Sequence, residues 1–188
     1  MHGFSCGKRE NMKFKDFVKR VIEVLKSSDI DYVIVGGLAV IYYGEPRVTQ
    51  GINVIIDNRR SDKEEILYLC RLFLENKFIV IGECDFMLKA LKEKTHITVL
   101  DEDYTFRVDL QGIYHKLNVL AFEGRRRVKI FDVETWLHGP EDLIIAKLTY
   151  YIGNRDLRDV ISMIKNSWDL VNEDRLWRLE KNSMLKIG

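Results

Sequence analysis

Between residues 14 and 25 the apolar side chains Phe14, Phe17, Val18, Val21, Ile22, Val24 and Leu25 return at helical spacing, and Ser27, Ser28 and Asp29 close the run. This predicts an amphipathic helix. The pattern then changes: DYVIVGG is a short, β-branched, nearly all-apolar stretch ending in a glycine pair, and LAVIYYG returns to helical composition and stops at Gly44. The expected order is strand, glycine turn, short helix. INVIID reads as a second buried strand, and SDKEEILYLCRLFLEN as a helix that Ser61 can cap with Glu64. FIVIG, HITVLD, TFRVDLQ and RVKIFD suggest further strands. PEDLIIAKLTYYI, LRDVISMIKNSW and NEDRLWRLEKN read as three closing helices, the first opened by Pro140 at a favoured first-turn position.

The fold class expected is α/β, of the α+β kind: a mixed sheet flanked by helices, with a C-terminal helical segment. At 188 residues the chain can hold one domain with a substantial core and a helical appendage. We divide it into a flexible start (1–12), a sheet-bearing domain (13–138) and a helical segment packed on it (139–188). Repeats and low-complexity linkers are absent from the sequence.

Charge changes the picture little, because 30 Lys and Arg balance 29 Asp and Glu, so a nucleic-acid or membrane contact would have to be a local patch. Cys6, Cys70 and Cys84 are odd in number, widely spaced and without a C-x-x-C pair, which argues against a disulfide framework and a structural zinc site. Cysteines so placed make a reducing cytoplasm the expectation, and no membrane partner is expected, since no apolar run approaches the ~18 residues of a spanning helix.

The strand that ends in Gly36 and Gly37 and feeds a helix exposes backbone N–H groups suited to phosphate, although an ordinary tight turn reads the same way. Downstream context separates the two. GGLAVIYYGEPRVTQGIN followed by FRVDLQ resembles the nucleotidyltransferase superfamily, with its polymerase-β-like fold, and more closely the AbiEii-type toxin branch and related small prokaryotic proteins. That family's signature is a glycine pair, a short helix, an arginine and threonine, Asp-x-Asp on the next strand and a third Asp on a later one. Here Gly36, Gly37, Arg47 and Thr49 match, and Asp109 matches the third carboxylate. Lys147 in PEDLIIAKL, with Arg155, Asp156 and Asp159 in NRDLRDVISMI, takes the positions of that branch's C-terminal motifs.

The departure falls on the metal site. In the family, three carboxylates hold two magnesium ions that bind the triphosphate and activate a hydroxyl. Gly51 and Asn53 stand where two of those carboxylates belong, and alternation points both the same way. Glycine offers no ligand and asparagine a neutral oxygen. Losing both anions implies a rate loss of roughly a thousandfold or more. Asp57 is no substitute, lying about 13 Å along the strand from Asn53. Glycine inside a strand costs stability, which favours a natural departure over a deliberate one.

The resemblance thus implies a nucleoside triphosphate as ligand, with magnesium in doubt. Gly36, Gly37, Arg47, Thr49, Asp156 and Asp159 would bind nucleotide; Asp109 would hold the remaining metal; Asp109 and Lys147 would carry any catalysis. The chemistry would be transfer of a nucleoside monophosphate to a hydroxyl on RNA, protein or a small molecule. The alternative is a non-catalytic nucleotide sensor, or a regulatory or toxin–antitoxin protein with a cognate partner. Read from spacing alone, Lys147 is equally a lysine snorkelling at a core edge, and Asp156 and Asp159 equally favourable acids early in a helix.

The arginines of GRRRVKI, Arg125, Arg126 and Arg127, with Lys129, Arg107, His115 and Lys116, read either as solvated loop or as an RNA-binding face. His96, His115 and His138 lack zinc-ligand spacing, and Trp168 and Trp177 read as packing residues.

Overall fold

The computed structural model of the protein describes residues 12–150 and 153–183. The expected frayed start and the last two residues of the first closing helix lie outside them, apart from Met12, which packs partly buried against the core. The chain runs α1 (Phe14–Ser27), β1 (Tyr32–Val35), α2 (Gly37–Tyr43), β2 (Gly51–Ile56), α3 (Lys63–Glu75), β3 (Ile79–Val80), α4 (Glu83–Lys92), β4 (His96–Leu100) and β5 (Arg107–Gly112). It continues through α5 (Lys116–Glu123), β6 (Arg126–Ile130), β7 (Val133–Leu137), α6 (Pro140–Thr149), α7 (Asn154–Ser167), a 3-10 turn at Trp168–Leu170 and α8 (Glu173–Ser183).

The seven strands form one mixed sheet in the order β3-β4-β5-β2-β1-β7-β6. β2 lies at its centre, antiparallel to β1 and parallel to β5. Alternation sorts the side chains. Ile52, Val54 and Ile56 of β2, with Val108 and Leu110 of β5 and Ile34 of β1, enter the large core that α1, α3 and α4 share. On the opposite face Val33, Ile55, Ile113 and Ala121 form a small second cluster beneath α5. Farther along that face Gly51, Asn53, Arg107 and Asp109 have no apolar cover, and there the sheet opens into a cleft.

α6 is buried through its first six residues, Pro140 to Ile145, the acids Glu141 and Asp142 included, because this helix is packed by α2, α5, α7 and α8. Two buried acids come with it: Asp142 pairs with Arg175 of α8, and Glu141 with Arg126 of β6.

Several expectations are corrected. Cys70 of α3 and Cys84 of α4 form a disulfide, their Cα atoms 5.6 Å apart, so the reading against disulfides fails. Its cause is tertiary: α3 and α4 pack against each other around the short β3, which brings together two cysteines 14 residues apart. The cysteine argument for a reducing compartment goes with it. The cap of α3 is Asp62, with Glu65 completing a reciprocal capping box, whereas Ser61 Oγ donates to the Asp57 carbonyl. α4, α5 and β7 are additions to the expected elements. Trp177 and Trp168 are 57% and 39% exposed, so neither is the packing residue expected, and Trp168 Nε1 donates to Glu173. Among the described residues no helix is long and apolar enough to cross a membrane.

Candidate functional site

The β1–α2 turn is closed by geometry that only glycine satisfies. Gly36 has φ +69°, and a Cβ there would stand 2.5 Å from Asn53 Nδ2. Gly37 follows with Arg47 and Thr49 against it: its missing Cβ would lie 3.2 Å from an Arg47 guanidinium nitrogen and 3.4 Å from Thr49 Oγ1. Thr49 in turn donates to the Gly51 carbonyl at 3.0 Å, fixing the entry of β2. The turn, the arginine, the threonine and the first half of β2 therefore form one wall.

The opposite wall comes from β5 and the C-terminal helices. The parallel register sets Asn53 beside Asp109 and Gly51 beside Arg107. Lys147 Nζ, from α6, is seated between Asp156 at 2.7 Å and Asp159 at 2.8 Å, both on α7. Arg47 reaches the same Asp159 carboxylate at 3.3 Å, and burial of its guanidinium draws its pKa below the ordinary value, opposed by that carboxylate. A snorkelling lysine at a core edge would have its ammonium in water; this one is held by two acids. The open cleft between the two walls has a volume of about 800 Å³, and Gly36, Gly37, Arg47, Thr49, Gly51, Asn53, Asp109, Lys147 and Asp156 all line it. Asp159 stands behind this lining, with only 6% of its side chain exposed.

Two features of the cleft were not read from the sequence, which gave Arg107 only to a basic face. Arg107 Nε lies 3.2 Å from Asp109 Oδ2, and the Thr98 hydroxyl of β4 donates to Asp109 Oδ1 at 3.0 Å. Tyr104 and Phe106, on the β4–β5 connection, close one end; buried Asp101 holds that connection by accepting from the Thr105 and Phe106 N–H groups. Arg155, which the sequence placed with the C-terminal motifs, also joins the lining, from the start of α7. Alternation carried a signal for Arg107, since two residues before Asp109 on one strand means the same face.

A pair of magnesium ions does not fit these donors. Asp109 is the one carboxylate at the strand positions, and both its oxygens are engaged; Asn53 is neutral and Gly51 has no side chain. Among the described residues no group of three or more His, Cys, Asp or Glu could hold a metal. Asp57 is buried past the end of β2, where Arg59 binds it through backbone N–H and guanidinium and, by those hydrogen bonds, lowers its pKa.

The arginine segment resolves into ion pairs. Arg125 binds Asp31 at 2.8 Å and lies over the rings of Phe122 and Trp136, Arg126 binds Glu141 at 2.5 Å, and Arg127 binds Glu134 at 2.6 Å. His138 is buried, with both ring nitrogens unpartnered, and burial lowers its pKa to about 3.

The chain matches no protein-family profile and no curated protein sequence. Solved structures do match. An antigenic nucleotidyltransferase-like protein from Paracoccidioides brasiliensis is 19% identical at a TM-score of 0.56, over 89% of this chain and 87% of that one. ANT(2")-Ia, solved in complex with adenylyl-2"-tobramycin, is 12% identical at 0.59, over 89% and 95%. The lincosamide antibiotic adenylyltransferase LnuA, lincomycin-bound, is 10% identical at 0.57, over 84% and 100%. At these identities the likeness is one of architecture, and the chain has the nucleotidyltransferase-like fold.

Proposed function

We propose that the cleft binds a nucleoside triphosphate, in a protein whose nucleotidyl transfer is strongly impaired. One observation carries the reading: the Gly36–Gly37 turn, the Arg47–Thr49 segment, Asp109 and Lys147 come from four separate stretches of sequence yet line one cleft. The N–H groups of the glycine turn and the cations of Arg47 and Lys147 suit phosphate oxygens. Asp156 and Asp159 hold those cations in place while the cleft is empty, so an entering phosphate finds donors already oriented. The solved adenylyltransferases of the same fold support nucleotide transfer as the ancestral chemistry.

The impairment rests on Gly51 and Asn53. A hydroxyl acceptor, whether on RNA, a protein or a small molecule, would reach the α-phosphate near Asp109. That single carboxylate is already engaged by Arg107 and Thr98, and no second carboxylate stands beside it at the strand positions. The reaction expected is at least about a thousandfold slower than that of a cleft with three carboxylates.

A second reading, a non-catalytic nucleotide sensor or a regulatory or toxin–antitoxin protein, is favoured by the same two positions. Binding through the Arg125–Arg127 segment has less in its favour, because each of those guanidinium groups already has an acidic partner. Calorimetric titration with the four ribonucleoside triphosphates tests the proposal. At least one should bind at a stoichiometry of one with a dissociation constant in the range of about 1–100 μM, weakened about tenfold in Lys147→Met. Absence of binding by any of them to the folded protein contradicts it.

A further inference from the structure

We propose that Arg107 stands in for the divalent cation, so that the cleft takes a polyphosphate free of metal. The inference rests on the nucleotide-binding reading above and names the form of ligand. Its first support is register. Gly51 and Arg107 are directly paired across β2 and β5, and the next pair on the same face is Asn53 and Asp109. Gly51, one of the two positions without a carboxylate, therefore adjoins a cation, and Asn53, the other, lies one pair farther along the same face.

The second support is space. A Cβ at position 51 would lie 3.1 Å from Arg107 Cγ and 3.2 Å from the Arg107 carbonyl oxygen. A side chain at position 51 would need the arginine stem to give by a few tenths of an ångström, so glycine there leaves Arg107 its present seat.

The third is the state of the donors. Arg107 uses Nε toward Asp109, at 3.2 Å, and its terminal amino groups make no hydrogen bond among the described residues. Its side chain is 63% exposed at the cleft, whereas Arg47 and Lys147 are 22% and 15% exposed and already share Asp159. A guanidinium so placed presents two parallel N–H donors, the geometry that phosphate oxygens accept in pairs. A magnesium ion brought to Asp109 would meet this fixed positive charge and would have to displace it. A metal-free triphosphate carries more negative charge than its magnesium complex, so it is the better partner for this cleft.

The test compares ATP and inorganic tripolyphosphate, each titrated in excess EDTA and then with magnesium in excess of ligand, against the unmodified protein, Arg107→Gln and Arg107→Lys. Both ligands should bind in EDTA at least as tightly as with magnesium. Arg107→Gln should weaken binding in EDTA by about tenfold or more, and Arg107→Lys should restore part of the loss. Since Arg107 is exposed, melting temperatures of the variants should match the parent, which separates lost binding from lost fold. Binding that appears only with magnesium overturns the inference and leaves the nucleotide reading standing. So does a full-strength Arg107→Gln in EDTA. Failure of ATP and of the other three ribonucleoside triphosphates to bind in either condition overturns the nucleotide reading itself, and the inference with it.

Discussion

Lys147 of α6 and Asp159 of α7 meet at 2.8 Å, and through this contact the C-terminal helices are fastened to the strand–turn–helix unit, because Asp159 also holds Arg47. Substitution of Asp159 leaves two largely buried cations short of an anion. Asp159→Ala should cost about 2 kcal/mol, less than for a fully buried pair because Asp156 continues to serve Lys147. In a chain of this size that lowers Tm by about 4–8 °C, measurable by circular dichroism. A melt unchanged from the parent would remove this role.

His138 predicts a stability slope. Burial holds the folded-state pKa at about 3, against an ordinary value near 6.5, and the positive charge of Arg175 adds to the effect. Between those two pH values the unfolded chain takes up a proton that the native chain refuses. Stability should therefore be unaffected by His138 above about pH 6.5 and fall as pH drops below it, by up to about 1.4 kcal/mol per pH unit. Denaturant melts at several pH values should show a shallower fall for His138→Leu than for the parent across that window. Parallel profiles would contradict the assignment.

The metal site should be recoverable only as a unit. Gly51→Asp with Asn53→Asp supplies the missing carboxylates but presses the first against Arg107. The triple variant that adds Arg107→Ser removes both the crowding and the opposing charge. Manganese binding followed by electron paramagnetic resonance should be weak or absent in the double variant and at least about tenfold tighter in the triple. Equal affinity in the two would show that Arg107 does not guard the position.

The disulfide between Cys70 and Cys84 closes a short loop joining α3 to α4. For a loop of about 15 residues the chain entropy that the cross-link removes from the unfolded state corresponds to about 3 kcal/mol. Reduction, or Cys70→Ser with Cys84→Ser, should lower unfolding free energy by about 2–4 kcal/mol. Thiol titration of the denatured, unreduced chain should then find one free cysteine, Cys6, of the three in the sequence. Three free thiols would contradict the pairing.

Much of this architecture was legible because its signals are local. The period of α1, the glycine break after Val35 and the two-residue alternation of β2 and β5 each declare themselves within a few residues. α5 did not, since it buries Ala121 fully and little else, leaving no clear apolar stripe. β7 escaped for a different reason: with Thr135 buried beside Leu137, its inward face is not purely apolar. The site followed the same division. Family-like spacing located the residues that line the cleft, but the grip of Arg107 on Asp109 and the shared use of Asp159 depend on strand register and helix packing. The three arginines after Gly124 looked like a free basic patch in sequence because their partners, Asp31, Glu141 and Glu134, lie on other segments.

The most direct test is an amide nitrogen–proton spectrum of the labelled protein recorded during titration with ATP. Glycine amides resonate apart from most others, so Gly36, Gly37 and Gly51 are natural reporters. These three should shift together with Asn53 and Asp109 at a common saturation, while the segment from Arg125 to Lys129 stays still. Shifts centred on that segment or on α8, with the glycine turn unmoved, would contradict the assignment of the cleft.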